Sequence, residues 1–434
     1  MKLQKFLILV YLYSLLTGAF SAISGLDKQI LLRMPLINIR WIDIVILIYV
    51  FMAIKYLPAL ISNSSGHKKL SKLQTLILTY LLFELVQFAR TFGVIDFQSQ
   101  VSWLLSTLGF SILLITFREY DVSDFHRLLI NFAVTSSLVV YILILLELYG
   151  LKLGVAFQSE EGRLTLMQNA QKESVSASVL YPFIFTFSLI SSFIKIVSYK
   201  KTLIYLSILP ILIIVIVSFH RGTLAMVIIT TIFFVPTIKS KSNKSFKYVG
   251  KLLKLTSILL VLFILFSDSL SSIGFNPIDK LEKVALFSVD VDNSNWDKGR
   301  FYVQAVLLGV WEKNILFGVG YDSHERYLPT GSAAHNFFVS SLFHRGLIGT
   351  FLLSWIFLLC YIKAFKLWRL SAKLNDNERL INRALVFTAF LWIIPLMTQE
   401  VMWEKYSTSI QFFYFSVIIS LYEYYNNKKS EITF

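Results

Sequence analysis

The sequence predicts an all-α polytopic membrane protein, and three observations carry that reading. Hydrophobic residues fill 56% of the 434 positions and charged residues only 15%. Soluble domains carry about 25% charged residues, so this chain lacks the polar surface a soluble fold of its length would need. Its apolar residues come in runs of about 17–25, the length that crosses a bilayer as a helix. An outer-membrane barrel would instead show short alternating segments, and a disordered chain would be poor in apolar residues. Finally, lysines and arginines gather in alternate connecting segments, the asymmetry that orients membrane helices.

Taken in order, about twelve spans are expected: 6–25, 41–60, 73–94, 101–117, 128–149, 176–194, 202–219, 222–238, 255–273, 336–362, 384–399 and 407–425. The chain is read as one integral-membrane domain, 1–434. The first run follows Lys2 and Lys5 and precedes Ala19-Phe20-Ser21, a pattern shared with secretory signal peptides. A retained helix is the reading adopted, because so many spans follow. The third run contains Glu84 and Arg90. An ionisable residue inside a span is a functional candidate, and Gln87, one turn on, is a ready hydrogen-bond partner for Glu84. The first turns of the tenth run are expected at the interface.

The formal charge is +15, from 41 Lys and Arg against 26 Asp and Glu. With the N-terminus inside, the inner segments collect Lys68, Lys69 and Lys72, then Lys195, Lys200 and Lys201, the acid-free stretch from Lys239 to Lys254, and the basic stretch from Lys363 to Arg383. Both termini are therefore expected in the cytoplasm. The lysine runs are read as topology signals and anionic-lipid contacts, and no nucleic acid is expected. Two outer segments are long, 150–175 and 274–335, the second lying between the ninth and tenth spans. Loops of such length are functional or disordered. Within 274–335, the apolar stretch 301–312 predicts a helix too short to span, placed at the membrane surface. Cys360 stands alone and the six histidines lack paired spacing, so neither a disulfide nor a zinc site is expected. Phosphate-cradling and nucleophile motifs are missing too, and no cofactor is expected.

On this topology three chain-distant groups share the outer face. Arg221 follows the seventh span, Arg300 opens the helix of the long loop, and His335 ends that loop at the start of the tenth span. Arginine suits bidentate phosphate binding, and histidine suits proton transfer near neutral pH. A helix N-terminus and neighbouring arginines both disfavour imidazolium. A neutral histidine beside fixed cations is what a base acting on a diphosphate-bearing substrate requires. The bland readings stand beside these: an arginine at a span end is often a snorkelling anchor, and an interfacial histidine is often a satisfied polar group. The bland reading is the one adopted for His220, His324 and His344.

Residues 335–350, HNFFVSSLFHRGLIGT, resemble the signature of the O-antigen ligase and polymerase superfamily, through His335, Asn336, Gly346 and Gly349. Upstream, GRFYVQAVLLGVWEKNILFGVG is similar to that family's arginine-opened helix closed by a Gly-x-Gly turn, with Arg300, Gly318 and Gly320. SFHRGTLAMVI resembles its Ser-Arg-Gly span start, with Arg221 and Gly222. Two departures are His220, where serine is common, and Asn314, where proline is usual. The resemblance implies a GT-C-like membrane glycosyltransferase that moves a glycan from undecaprenyl diphosphate to an acceptor hydroxyl at the periplasmic face of the bacterial inner membrane, without metal and with inversion. It implies His335 as the base and Arg221 and Arg300 as diphosphate ligands. Arg163, in EGRLTLMQNAQ, resembles a further family arginine. The partners implied are undecaprenyl-diphosphate-linked oligosaccharide, membrane lipid and a chain-length regulator.

The function expected is O-antigen polymerase. The richness in Phe, Ile, Leu, Lys and Asn matches the AT-rich genes of polysaccharide-assembly clusters. Two alternatives stand: an O-antigen ligase that transfers glycan to lipid A-core, and a transporter or flippase of the same lipid-linked oligosaccharide. A transporter needs polar groups near the membrane midplane, for which the sequence offers Glu84 and Asp43.

Overall fold

A computed structural model describes residues 72–92, 295–321, 336–393 and 405–432 as continuous stretches, with shorter pieces at 32–33, 38–39, 126–135, 158–160, 163–165 and 184–191 and a few single positions. The regular structure there is overwhelmingly helical. Five helices dominate: α1 (Lys72–Thr91), α2 (Asn295–Trp311), α3 (Phe337–Ser371), α4 (Asp376–Leu391) and α5 (Lys405–Ile432). Two very short antiparallel ladders accompany them: β1 (Leu32–Arg33) with β2 (Asn38–Ile39), and β3 (Gln158–Glu160) with β4 (Arg163–Thr165). The second pair lies in the expected outer segment 150–175, and Arg163 opens it opposite Glu160.

Among the described helices, α1 and α3 are long and apolar enough to cross a membrane. The expected span 73–94 and surface helix 301–312 correspond to α1 and α2. Hydropathy locates α3 but understates it. The helix continues past the apolar part of its run through Lys363, Lys366 and Arg369 to Ser371, because basic side chains are good helix formers that apolar run-length does not see. Likewise α4 starts earlier than 384, at a polar first turn. Asn375 caps it by accepting from the Glu378 N–H, and Asp376 and Glu378 sit at the positive end of the helix dipole. Most of the other expected spans, and so their total, lie outside the described residues.

The relative directions of the described helices follow from their contacts. Helices α3 and α4 form an antiparallel hairpin across residues 372–375. The Tyr361 hydroxyl donates to the Ala389 carbonyl, and Arg383 stacks over Trp368. Helix α5 runs parallel to α3: Phe357 packs on Phe412 and Phe415, and further along Lys363 meets Glu423 and Tyr422. Helix α1 runs antiparallel to α3, with Phe83 against Gly349, Glu84 on Arg345, and Arg90 and Thr91 at the 317–320 loop. These are the directions expected for spans three, ten, eleven and twelve. Between them the core is aromatic, with Tyr80, Phe343, Trp392 and Phe412 fully buried. In a bilayer such packing gains dispersion energy rather than release of water.

Candidate functional site

Helix α3 is broken at Gly346, which takes φ 63° and ψ −164°. A regular helix would have Leu347 and Ile348 donate to the carbonyls of Phe343 and His344. The break frees both donors and both acceptors, and the stretch after α2 takes all four. Leu347 and Ile348 donate to the carbonyls of Ile315 and Leu316, at 2.8 and 3.2 Å. Val319 and Gly320 donate to the carbonyls of Phe343 and His344, at 2.8 and 2.9 Å. Two lost helical bonds become four bonds to a loop wedged into the helix. All four freed backbone groups are thereby paired, as buried backbone groups require.

The glycines of the sequence pattern make this wedge possible. Gly318, Gly320 and Gly346 all have positive φ, where side chains with a Cβ are strained. A Cβ on Gly318 would lie 2.5 Å from the Phe343 oxygen, and one on Gly346 would lie 2.5 Å from the Gly318 nitrogen. Gly349 leaves room for the ring of Phe83. Asn314, where the resembled family usually has proline, uses the group proline lacks: its N–H donates to the Trp311 carbonyl at 2.7 Å.

The wedge also joins α1. Gln87 donates to the Phe317 carbonyl at 2.5 Å rather than to Glu84, and Arg90 donates to the Gly318 carbonyl at 2.7 Å. Glu84, 1% exposed, pairs with Arg345 at 2.5 Å and accepts from the Tyr80 hydroxyl. The Tyr321 hydroxyl sits between the Glu84 backbone carbonyl, at 3.0 Å, and Oε2, at 3.1 Å. Burial first, and then the Glu84 charge, push the Tyr321 phenol well above its ordinary pKa, so it stays a donor. His344 Nδ1 lies 2.8 Å from the Gly320 carbonyl. It is a satisfied polar group, as its sequence context suggested.

Nine residues of α3, 337–345, thus form a short rod before the break. Asn336 caps it, accepting from the N–H groups of Phe338 and Val339. Helix α2 packs directly on this rod: Val303, Leu307 and Phe343 form a buried cluster, flanked by Val306, Val310 and Val339. His335 immediately precedes the cap of the rod in sequence. The helix that carries Arg300 and the rod that follows His335 are therefore packed neighbours.

Of the expected site residues, Arg300 lies in α2 and Arg163 in β4. His335 and Arg221 lie outside the described residues. Sequence reasoning missed Arg345 and Tyr321. The sequence signalled that Glu84 calls for a buried cation, but nothing local marked Arg345, 261 residues away, as that partner.

Helix α2 is thus locked onto the start of a long, glycine-broken helix that is apolar enough to cross a membrane. Residues 206–354 match the family model described as O-antigen ligase. The match supports the O-antigen ligase and polymerase superfamily, whose members are bacterial inner-membrane proteins, and it takes in Arg221, Arg300, His335 and all four glycines of the wedge. No curated protein matches the chain.

Proposed function

We propose that the protein is a membrane glycosyltransferase that polymerises O-antigen repeat units carried on undecaprenyl diphosphate, at the periplasmic face of the inner membrane. The observation that carries the reading is the family match over 206–354, in which the helix bearing Arg300 packs on the rod that follows His335. In the reaction, His335 takes the proton of the acceptor hydroxyl. The acceptor oxygen bonds the anomeric carbon as the bond to the diphosphate breaks, and the electron pair leaves on the diphosphate oxygen. Arg221 and Arg300 hold that developing charge, with Arg163 assisting from the outer segment 150–175. A single displacement inverts the anomeric centre, and no step calls for a metal. Polymerase is favoured over ligase by the Phe-, Ile-, Lys- and Asn-rich composition.

A second reading, ligation of O-antigen to lipid A-core, is favoured by the description of the matched family as O-antigen ligase. Transport of the lipid-linked glycan has less support. Glu84, a polar group that a transport path would need, is buried and paired with Arg345 and two tyrosines.

The direct test is transfer in membrane vesicles supplied with lipid-linked repeat units. His335→Ala should lower transfer by about 10²–10⁴-fold, the usual contribution of a general base, while the protein still inserts. Wild-type turnover by this variant would remove His335 from the chemistry.

A further inference from the structure

We infer that Glu84, Arg345 and Tyr321 are positioning residues for the transfer site: their buried cluster fixes the direction of the 337–345 rod against α2. The inference rests on the transfer reading above for its link to catalysis, and on the packing alone for its mechanics.

A break in a helix leaves the two halves free to pivot unless something outside holds them. Here the freed backbone groups of 343–344 and 347–348 are held by residues 315–320. That loop is itself held by α1, through Gln87 and Arg90 on the carbonyls of Phe317 and Gly318. Arg345 is the last residue of the rod before the break, and its guanidinium Nε reaches both Glu84 Oε1 and the Tyr80 hydroxyl, at 2.5 and 2.8 Å. Tyr321 ties the end of the loop to the same carboxylate. Glu84 therefore joins three elements at one point: α1, the rod, and the loop that continues from α2. The hydroxyl of Thr350 donates to Ser341 across the break at 3.0 Å, a weaker tie between the halves.

From Arg345 back to the cap is nine residues, or about 13 Å at the helical rise. Glu84 thus acts through the rod, at its far end from His335. A lever of that length turns a small pivot at Arg345 into a displacement on the order of an ångström at the cap. Misplacement of about 1 Å can cost about 10²-fold in rate. The charge on Glu84 is the element that aims Arg345, so the isosteric amide should loosen the rod without emptying the space.

The test uses the full-length protein in vesicles. Glu84→Gln should lower kcat about 10²-fold and leave KM for the lipid-linked donor within about twofold. The pH at which kcat rises should not move, because the base is unchanged. Arg345→Lys should behave alike, since a point charge cannot copy the aimed Nε contact. Tyr321→Phe removes one hydroxyl and should lower kcat more mildly, and it carries the test if either charge variant inserts poorly. An activity-independent readout accompanies these. Spin labels on cysteines placed at the exposed positions Tyr302 and Phe338 report the distance between α2 and the rod, which should broaden in Glu84→Gln. A narrow, unshifted distance with unchanged kcat overturns the inference. A raised KM at constant kcat overturns it as well, and makes the cluster a donor-binding device. If the distance broadens while neither wild type nor variants transfer glycan, the positioning stands and the proposed reaction falls.

Discussion

Arg345 carries its charge into the interior because Glu84 meets it there. Removing one partner of a buried pair leaves the other uncompensated, at a cost of about 3–5 kcal/mol. Glu84→Ala should therefore lower the amount of folded protein far more than Glu84→Gln, as judged by detergent-solubilised yield and thermal aggregation. Glu84 was legible in the sequence as an anomaly within a span, but its partner was not. The pairing spans 261 residues of sequence, and nothing local in HNFFVSSLFHRG distinguishes Arg345 from a snorkelling interfacial arginine. The same limit applies in reverse to Gln87, whose nearness to Glu84 in sequence suggested a bond that it makes instead to Phe317. For Arg300 and Arg221 the expected behaviour is a demand for the planar guanidinium fork. Arg300→Lys and Arg221→Lys should each lose transfer on the order of 10²-fold with normal insertion. Normal transfer by both lysine variants would make them interface anchors.

The broken helix is the element on which the site turns. Its glycines were readable in the sequence as a pattern, yet their work was not. The spacing of Gly346 and Gly349 reads equally well as small-residue helix packing, and only the four exchanged backbone bonds reveal an inserted loop. The ends of α3 and α4 were misjudged for a related reason, since capping and helix propensity extend a helix beyond its apolar run. Gly346→Ala puts a Cβ 2.5 Å from the Gly318 nitrogen and forces a residue with a side chain into backbone angles that only glycine readily adopts, which alone costs about 1–3 kcal/mol. The wedge cannot close around it. We expect Gly346→Ala to insert but to lose transfer and become sensitive to protease at 312–320. The control is Gly309→Ala: a Cβ there meets nothing within 4 Å, and alanine favours the helix, so it should leave both unchanged. Equal protease resistance of the two variants would count against the wedge.

At the scale of the whole molecule, the opposed directions of α1 and α3 and the shared direction of α3 and α5 agree with an ordering read from charge and hydropathy alone. Direction was legible because each crossing reverses the chain; the lateral neighbours were not, because run-lengths carry no pairing information. For the proposed transfer, the question that experiment must answer is the acceptor. Polymerase and ligase share a donor, so both need a diphosphate held beside a base. They differ in what brings the acceptor hydroxyl. A polymerase admits a second lipid-linked glycan and so must accommodate a second polyprenyl tail at its membrane face, whereas a ligase admits lipid A-core. The exposed apolar residues of α3, Phe351, Trp355, Leu358, Ile362 and Phe365, fall on one stripe of the helix and suit a lipid tail, yet both acceptors carry one. The distinction therefore belongs to the cell. If the protein is the polymerase, deleting its gene should leave lipid A-core bearing a single repeat unit, because ligation continues without chain growth. Electrophoresis of the surface lipid reads this directly as one band above the core. Core without any repeat unit, together with long chains accumulating on undecaprenyl diphosphate, would assign the protein as the ligase instead.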